Sequence, residues 1–126
     1  MKKFLFAAAL TFTLAVFAQA EASDYFAGTT RSGWQVYLKT ETVKPHPTAG
    51  YGGYCWVKMI SPRNVVKQLR YGFGPSPSGE GYHFSAEGDG LWEAEAVSGT
   101  IYYDNHNGYP VTWNVFRAVY QILGGF

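Results

Sequence analysis

From Trp34 to Glu41 the chain alternates. Trp34, Val36 and Leu38 fall on one side of an extended backbone, with Gln35, Lys39 and Glu41 on the other. This period of two predicts a strand with one buried and one wet face. Short aromatic and β-branched runs predict further strands at 24–30, 54–60 and 65–73, the last two joined into a hairpin by Ser61-Pro62-Arg63-Asn64. Within 65–73, Val65, Leu69, Tyr71 and Phe73 share the face expected to be buried, and Lys67 interrupts it. Tyr82–Ala86 and Thr100–Tyr103 read as two more strands, with Leu91–Ala96 as another between them. Lys44–Gly53 holds two prolines and three glycines and is expected to leave the sheet as a loop, and Gly72–Gly81 reads as a second loop.

Beyond Pro110 the period changes. Trp113, Phe116, Val119, Tyr120 and Leu123 recur at steps of three and four, flanked by Val115 and Ile122. With Thr112 as N-cap and Gly124-Gly125 as the stop, the pattern predicts an amphipathic helix over 112–123. So wide an apolar stripe needs a large partner. The predicted fold class is therefore α+β: an antiparallel β-sheet of about five to six strands with one C-terminal helix packed on a face.

The N-terminus changes the picture of where this domain works. Lys2-Lys3, an uncharged apolar run from Phe4 to Ala18 and the small-x-small pattern Ala18-Gln19-Ala20 predict a signal peptide at 1–20. A single mature domain at 21–126, exported to the periplasm or the extracellular space of a bacterium, is the expectation. The apolar run is shorter than the roughly twenty residues that span a bilayer, and no later run approaches that length. The mature chain is expected to have no membrane span.

The formal charge of +1 becomes slightly negative once Lys2 and Lys3 are set aside. No long-range field then exists to gather nucleic acid or anionic lipid. The basic residues Lys58, Arg63, Lys67 and Arg70 read as a solvated strand face. Cys55 is the single cysteine, so no internal disulfide can form. Between Tyr54 and Trp56 it reads as a small buried hydrophobe.

Catalytic chemistry requires clustered groups, and the sequence offers few. His46, His83 and His106 show no metal-ligand spacing. The turn Asp104-Asn105-His106-Asn107-Gly108 has its glycine one position early for a calcium loop and lacks the closing acid. The serines lack a nucleophile-elbow context. The expectation is no catalytic residue, no metal site and no cofactor. Glu93 and Glu95, two apart, would share one face of a strand and keep a small secreted or periplasmic hydrolase open as an alternative. Tyr and Trp dominate protein-recognition surfaces. Nineteen of residues 21–126 are Phe, Trp or Tyr; either these rings fill the core of a disulfide-free domain, or those a small sheet leaves over line an open face, in which case Tyr82, Trp92, Tyr102 and Tyr103, with Tyr37, are the candidate ligand-binding residues.

Three segments, Tyr37-Leu38-Lys39-Thr40-Glu41-Thr42-Val43, Cys55-Trp56-Val57-Lys58-Met59 and Ile101-Tyr102-Tyr103-Asp104, followed by a glycine-containing turn and the final segment, resemble bacterial surface-adhesin E-type domains in their order. The resemblance implies a small exported antiparallel sheet crossed by a C-terminal helix, and binding of extracellular proteins. Members of that family are commonly lipid-anchored and cysteine-paired, whereas this chain has neither a lipobox nor a second cysteine. The leading expectation is an exported, non-enzymatic binding or envelope-associated module with an extracellular or envelope protein as partner. A structural or inhibitor-like domain acting through its Gly/Pro loops is the third reading.

Overall fold

A computed structural model describes residues 24–47, 52–106 and 108–126. The expected leader, the start at Glu21, the centre of the first Gly/Pro loop and Asn107 of the Asp104–Gly108 turn lie outside the described residues. The strands are β1 (Asp24–Thr29), β2 (Gln35–Lys39), β3 (Lys44–Pro45), β4 (Gly53–Ile60), β5 (Val66–Pro75), β6 (Tyr82–Glu87) and β7 (Ser98–Ile101), followed by helix α1 (Pro110–Leu123). They form one antiparallel sheet in the order β1-β2-β4-β5-β6-β7, with β3 beside β4. The α+β architecture follows from this meander and the helix laid on one of its faces.

The β4–β5 hairpin is the spine, in register from Gly53 opposite Phe73 to Ile60 opposite Val66. Alternation sends Cys55, Val57, Met59, Leu69, Tyr71 and Phe73 to one face, where they join Val36, Leu38, Phe84 and Ile101 in the core. Helix α1 covers this face with Val111, Trp113, Val115, Phe116 and Val119. Val65 does not belong to it: at 49% exposure it lies in the turn, where its N–H donates to Ser61 Oγ at 2.9 Å and Asn64 takes a left-handed φ of 68°. Lys58, expected to be solvated, is 8% exposed. It pairs with the buried Asp24 at 3.3 Å, because both project from the sheet's other face.

Further expectations are corrected. Gly72–Gly81 is not all loop, since β5 continues through Gly72–Pro75 and pairs with β6 as far as Tyr82. Lys44–Gly53 is not wholly outside the sheet, since Lys44 and Pro45 pair with Tyr54 and Gly53. β2 and β3 are two pieces of one lane beside β4, separated by a 3₁₀ turn at Thr40–Thr42. At that kink Thr42 Oγ1 accepts the Trp56 N–H at 2.9 Å, replacing the missing ladder bond. Leu91–Ala96 is not a strand, because Leu91–Glu93 form a 3₁₀ turn. Gly88 swings the chain off the sheet at φ 134°, where a Cβ would lie 2.5 Å from the Gln68 carbonyl oxygen. Strand β7 therefore starts only at Ser98. It stops at Ile101 because the Tyr102 N–H turns to the Asn105 carbonyl at 2.9 Å.

The helix begins earlier than expected, and Thr112 is not its cap. Pro110 takes the first turn, where its lacking N–H costs nothing. The cap comes from elsewhere: Glu95 Oε2 accepts the Val111 N–H at 3.1 Å and Oε1 the Thr112 N–H at 2.8 Å. One carboxylate thus satisfies two orphan donors at the positive end of the helix dipole. The Asn114 side-chain amide donates to the Ala27 carbonyl at 2.8 Å, tying α1 to the bulge in β1. Gly124 closes the helix in the left-handed region at φ 76°.

Cys55 is fully buried and free of any disulfide. Burial pushes its thiol pKa well up, partly offset by a hydrogen bond with the Tyr71 backbone. The protonated thiol is a poor nucleophile. Labelling with a thiol reagent should be slow in the native protein and fast after unfolding. Cys55→Ser, which buries a hydroxyl, should cost about 1–3 kcal/mol in a denaturant melt. Rapid native labelling would contradict this placement. No helix among the described residues is long and apolar enough to cross a membrane.

Candidate functional site

Pairing of β6 with β7 sets Tyr82 opposite Ile101. The chain leaving β7 therefore runs past Tyr82. It lays Tyr102 against Gly81, where a Cβ would lie 2.8 Å from that ring. The next residue, Tyr103, reaches over α1 and meets Trp113 edge-on, with ring centroids 5.8 Å apart at 86°. His106 holds this loop down: its ring stacks on Trp113 at 3.9 Å and 17°, and Nε2 lies 3.3 Å from the Tyr103 carbonyl oxygen.

Between this loop and the C-terminal half of α1 lies an open cleft of about 550 Å³. Tyr82, Tyr103, Phe116 and Tyr120 supply its rings, and Arg117 and Gln121 its polar groups. Tyr82 is anchored by Phe116 at 4.6 Å and by Tyr120 at 5.8 Å. Its phenol pKa is raised, first by burial, then by a hydrogen bond to Tyr120 and by the nearby Tyr120 and Tyr103 phenols. Tyr103 is 82% exposed. The Phe126 ring packs edge-on against Phe116 and Tyr120, at 5.9 and 5.2 Å. No Asp or Glu is among the described residues lining the cleft. Its lining offers ring faces and edges, phenol donors and one guanidinium.

Of the aromatics singled out by sequence, Tyr82 and Tyr103 meet in this cleft, and Tyr102 sits beside it. Trp92 does not join them. It stands 93% exposed on the 3₁₀ turn, at a separate groove with Thr29, Arg31, Ser32 and Pro110. Tyr37 lies on the far face of the sheet, its ring 5.2 Å from Phe26. Sequence reasoning placed Tyr120 in the buried stripe and gave Arg117 no role, and so missed both as cleft residues. A helical period alone does not separate a core position from a rim position. The one available signal was that Arg117 lies one and three positions from two of the stripe's aromatics.

The shared strand face expected for Glu93 and Glu95 does not form, because the segment is not a strand. Glu93 accepts from Lys67 Nζ at 3.1 Å, while Glu95 is spent on the helix N-terminus. Within the basic cluster, Arg70 pairs with Glu87 at 2.9 Å and Lys67 with Glu93. Arg70 also lies 4.8 Å from the Tyr54 ring centre, and His46 meets Tyr54 edge-on at 5.6 Å. Among the described residues no group of three or more His, Cys, Asp or Glu side chains is placed to hold a metal ion. Comparison of the chain with family models, with curated proteins and with solved structures found no match.

Proposed function

We propose that this protein is an exported binding module that takes a peptide segment of an extracellular or envelope protein into the Tyr82–Tyr103–Tyr120 cleft. The observation that carries the reading is the convergence of three phenols and Arg117 on one open cleft. Tyr and Arg are enriched at the energetic centres of protein interfaces, where their large rigid surfaces lose little entropy on binding. The leader pattern at 1–20 supports export, and the resemblance of three sequence segments, in their order, to adhesin E-type domains supports an extracellular protein ligand. The hydrolase reading loses its starting point, since Glu93 and Glu95 serve different partners.

Selection of a displayed random-peptide library on the purified protein tests the proposal. Binders should emerge whose affinity falls by about tenfold or more in Tyr103→Ala, the loss of one interface hot spot. A selection that yields no binder, or binders indifferent to Tyr103, would refute it.

A further inference from the structure

We infer that the cleft recognises the free C-terminal carboxylate of a peptide ending in an aromatic residue, with the carboxylate on Arg117 and the ring between Tyr82 and Tyr103. This rests on the binding reading above and deepens it. Arg117 is the charged residue of the cleft lining. It is exposed and lies between two depressions, sharing the second with Tyr25, Thr40 and Ile122. Lys39, Lys58, Lys67 and Arg70 each have a carboxylate within ion-pair distance. Among the described residues none is found for Arg117, nor for Arg31, Lys44 or Arg63, and of these four it is Arg117 that lines the tyrosine cleft. A guanidinium presents a planar fork of donors that matches a carboxylate two bonds at a time.

The rings alone would suit either sign of charge, because tyrosine faces attract cations. Arg117 decides between them: a cationic ligand would meet its repulsion, and an anionic one its hydrogen bonds. The negative end of the α1 dipole weighs the other way. Gln121, Gly124 and Gly125 bring that end to the cleft, but the effect is confined to the last turn, where the cap at Gly124 already donates its N–H to the Gln121 and Tyr120 carbonyls, and Arg117 lies six residues before Leu123. The Tyr103 phenol, on the opposite rim, adds a second donor. The rings of Tyr82, Phe116 and Tyr120 already pack edge-on around one phenylalanine ring, that of Phe126. One ring site beside one cation matches a terminal aromatic residue, which carries ring and carboxylate on a single α-carbon. Capture of a chain terminus in this way is a recurring recognition mode.

The test is a calorimetric or NMR titration of the purified protein with N-acetyl-L-phenylalanine, its primary amide and phenethylammonium. The acid should bind in about the millimolar range expected for so small a ligand. The amide should bind about tenfold more weakly, the loss of one charge-assisted contact, and phenethylammonium more weakly still. Arg117→Gln should erase the acid–amide difference, and Trp92→Ala should preserve it. Equal binding of acid and amide, preference for the cation, or no binding of any probe would overturn the inference. Library-selected peptides that still depend on Tyr103 but lack a terminal carboxylate would overturn it too, while leaving the cleft reading intact.

Discussion

Phe116→Ala should destabilise the protein by about 3–5 kcal/mol, the range for removing a large ring from a close-packed core. Phe116 is 2% exposed and links helix to sheet through Phe73 at 5.5 Å and Tyr82 at 4.6 Å. It also touches Trp113, Tyr120 and Phe126. No disulfide limits the unfolded chain, so the loss falls on a domain whose whole stability is about 5–15 kcal/mol. Arg117→Ala, one residue on and solvent-facing, should stay within about 0.5 kcal/mol. Urea melts of the two variants make the comparison. Equal and small effects would mean that α1 is not docked on the sheet.

Glu95→Ala should cost about 2–3 kcal/mol, because it strips charge-assisted acceptors from two backbone N–H groups at a helix end. One of those groups belongs to Thr112, which is fully buried, so water cannot readily replace the carboxylate. Nor does α1 hold a reserve: its N-cap residue makes no side-chain bond, and its first turn carries no acid. Glu95→Gln keeps the shape and one acceptor oxygen and should recover about half the loss. Hydrogen exchange should accelerate first at Val111 and Thr112. A change below about 0.5 kcal/mol in Glu95→Ala would remove the cap from this description.

The contrast between these residues shows which features the sequence makes legible. Phe116, Leu69, Tyr71 and Phe73 could be assigned to the core in advance, because burial on one face imposes a period, and a period is visible in a single chain. Glu95 was opaque for the opposite reason. Capping preferences are local, whereas this cap bridges sixteen residues from Glu95 to Val111 and depends on the direction in which the turn at Gly88–Gly90 sends the chain; the glycines mark a turn there but not its direction. Thr112, the locally attractive cap, is displaced by Pro110 two residues earlier.

The cleft was half legible. Tyr82 and Tyr103 could be suspected because the chain has more rings than its sheet can bury, but composition does not say which rings meet. The register of Tyr82 opposite Ile101 brings them together, and that register follows from where β7 starts. Trp92 carried the same sequence signal, and the structure sends it to another groove.

That divergence supplies the most direct measurement of the central claim, that binding resides in the tyrosine cleft. One library-selected peptide is titrated against the parent protein, Tyr103→Ala and Trp92→Ala. Both variants remove a ring that is more than four-fifths exposed, so neither should unfold the domain. The cleft account predicts about a tenfold or greater loss of affinity in Tyr103→Ala and no change in Trp92→Ala. Loss in Trp92→Ala with Tyr103→Ala unaffected would contradict it and place recognition at the opposite end of α1.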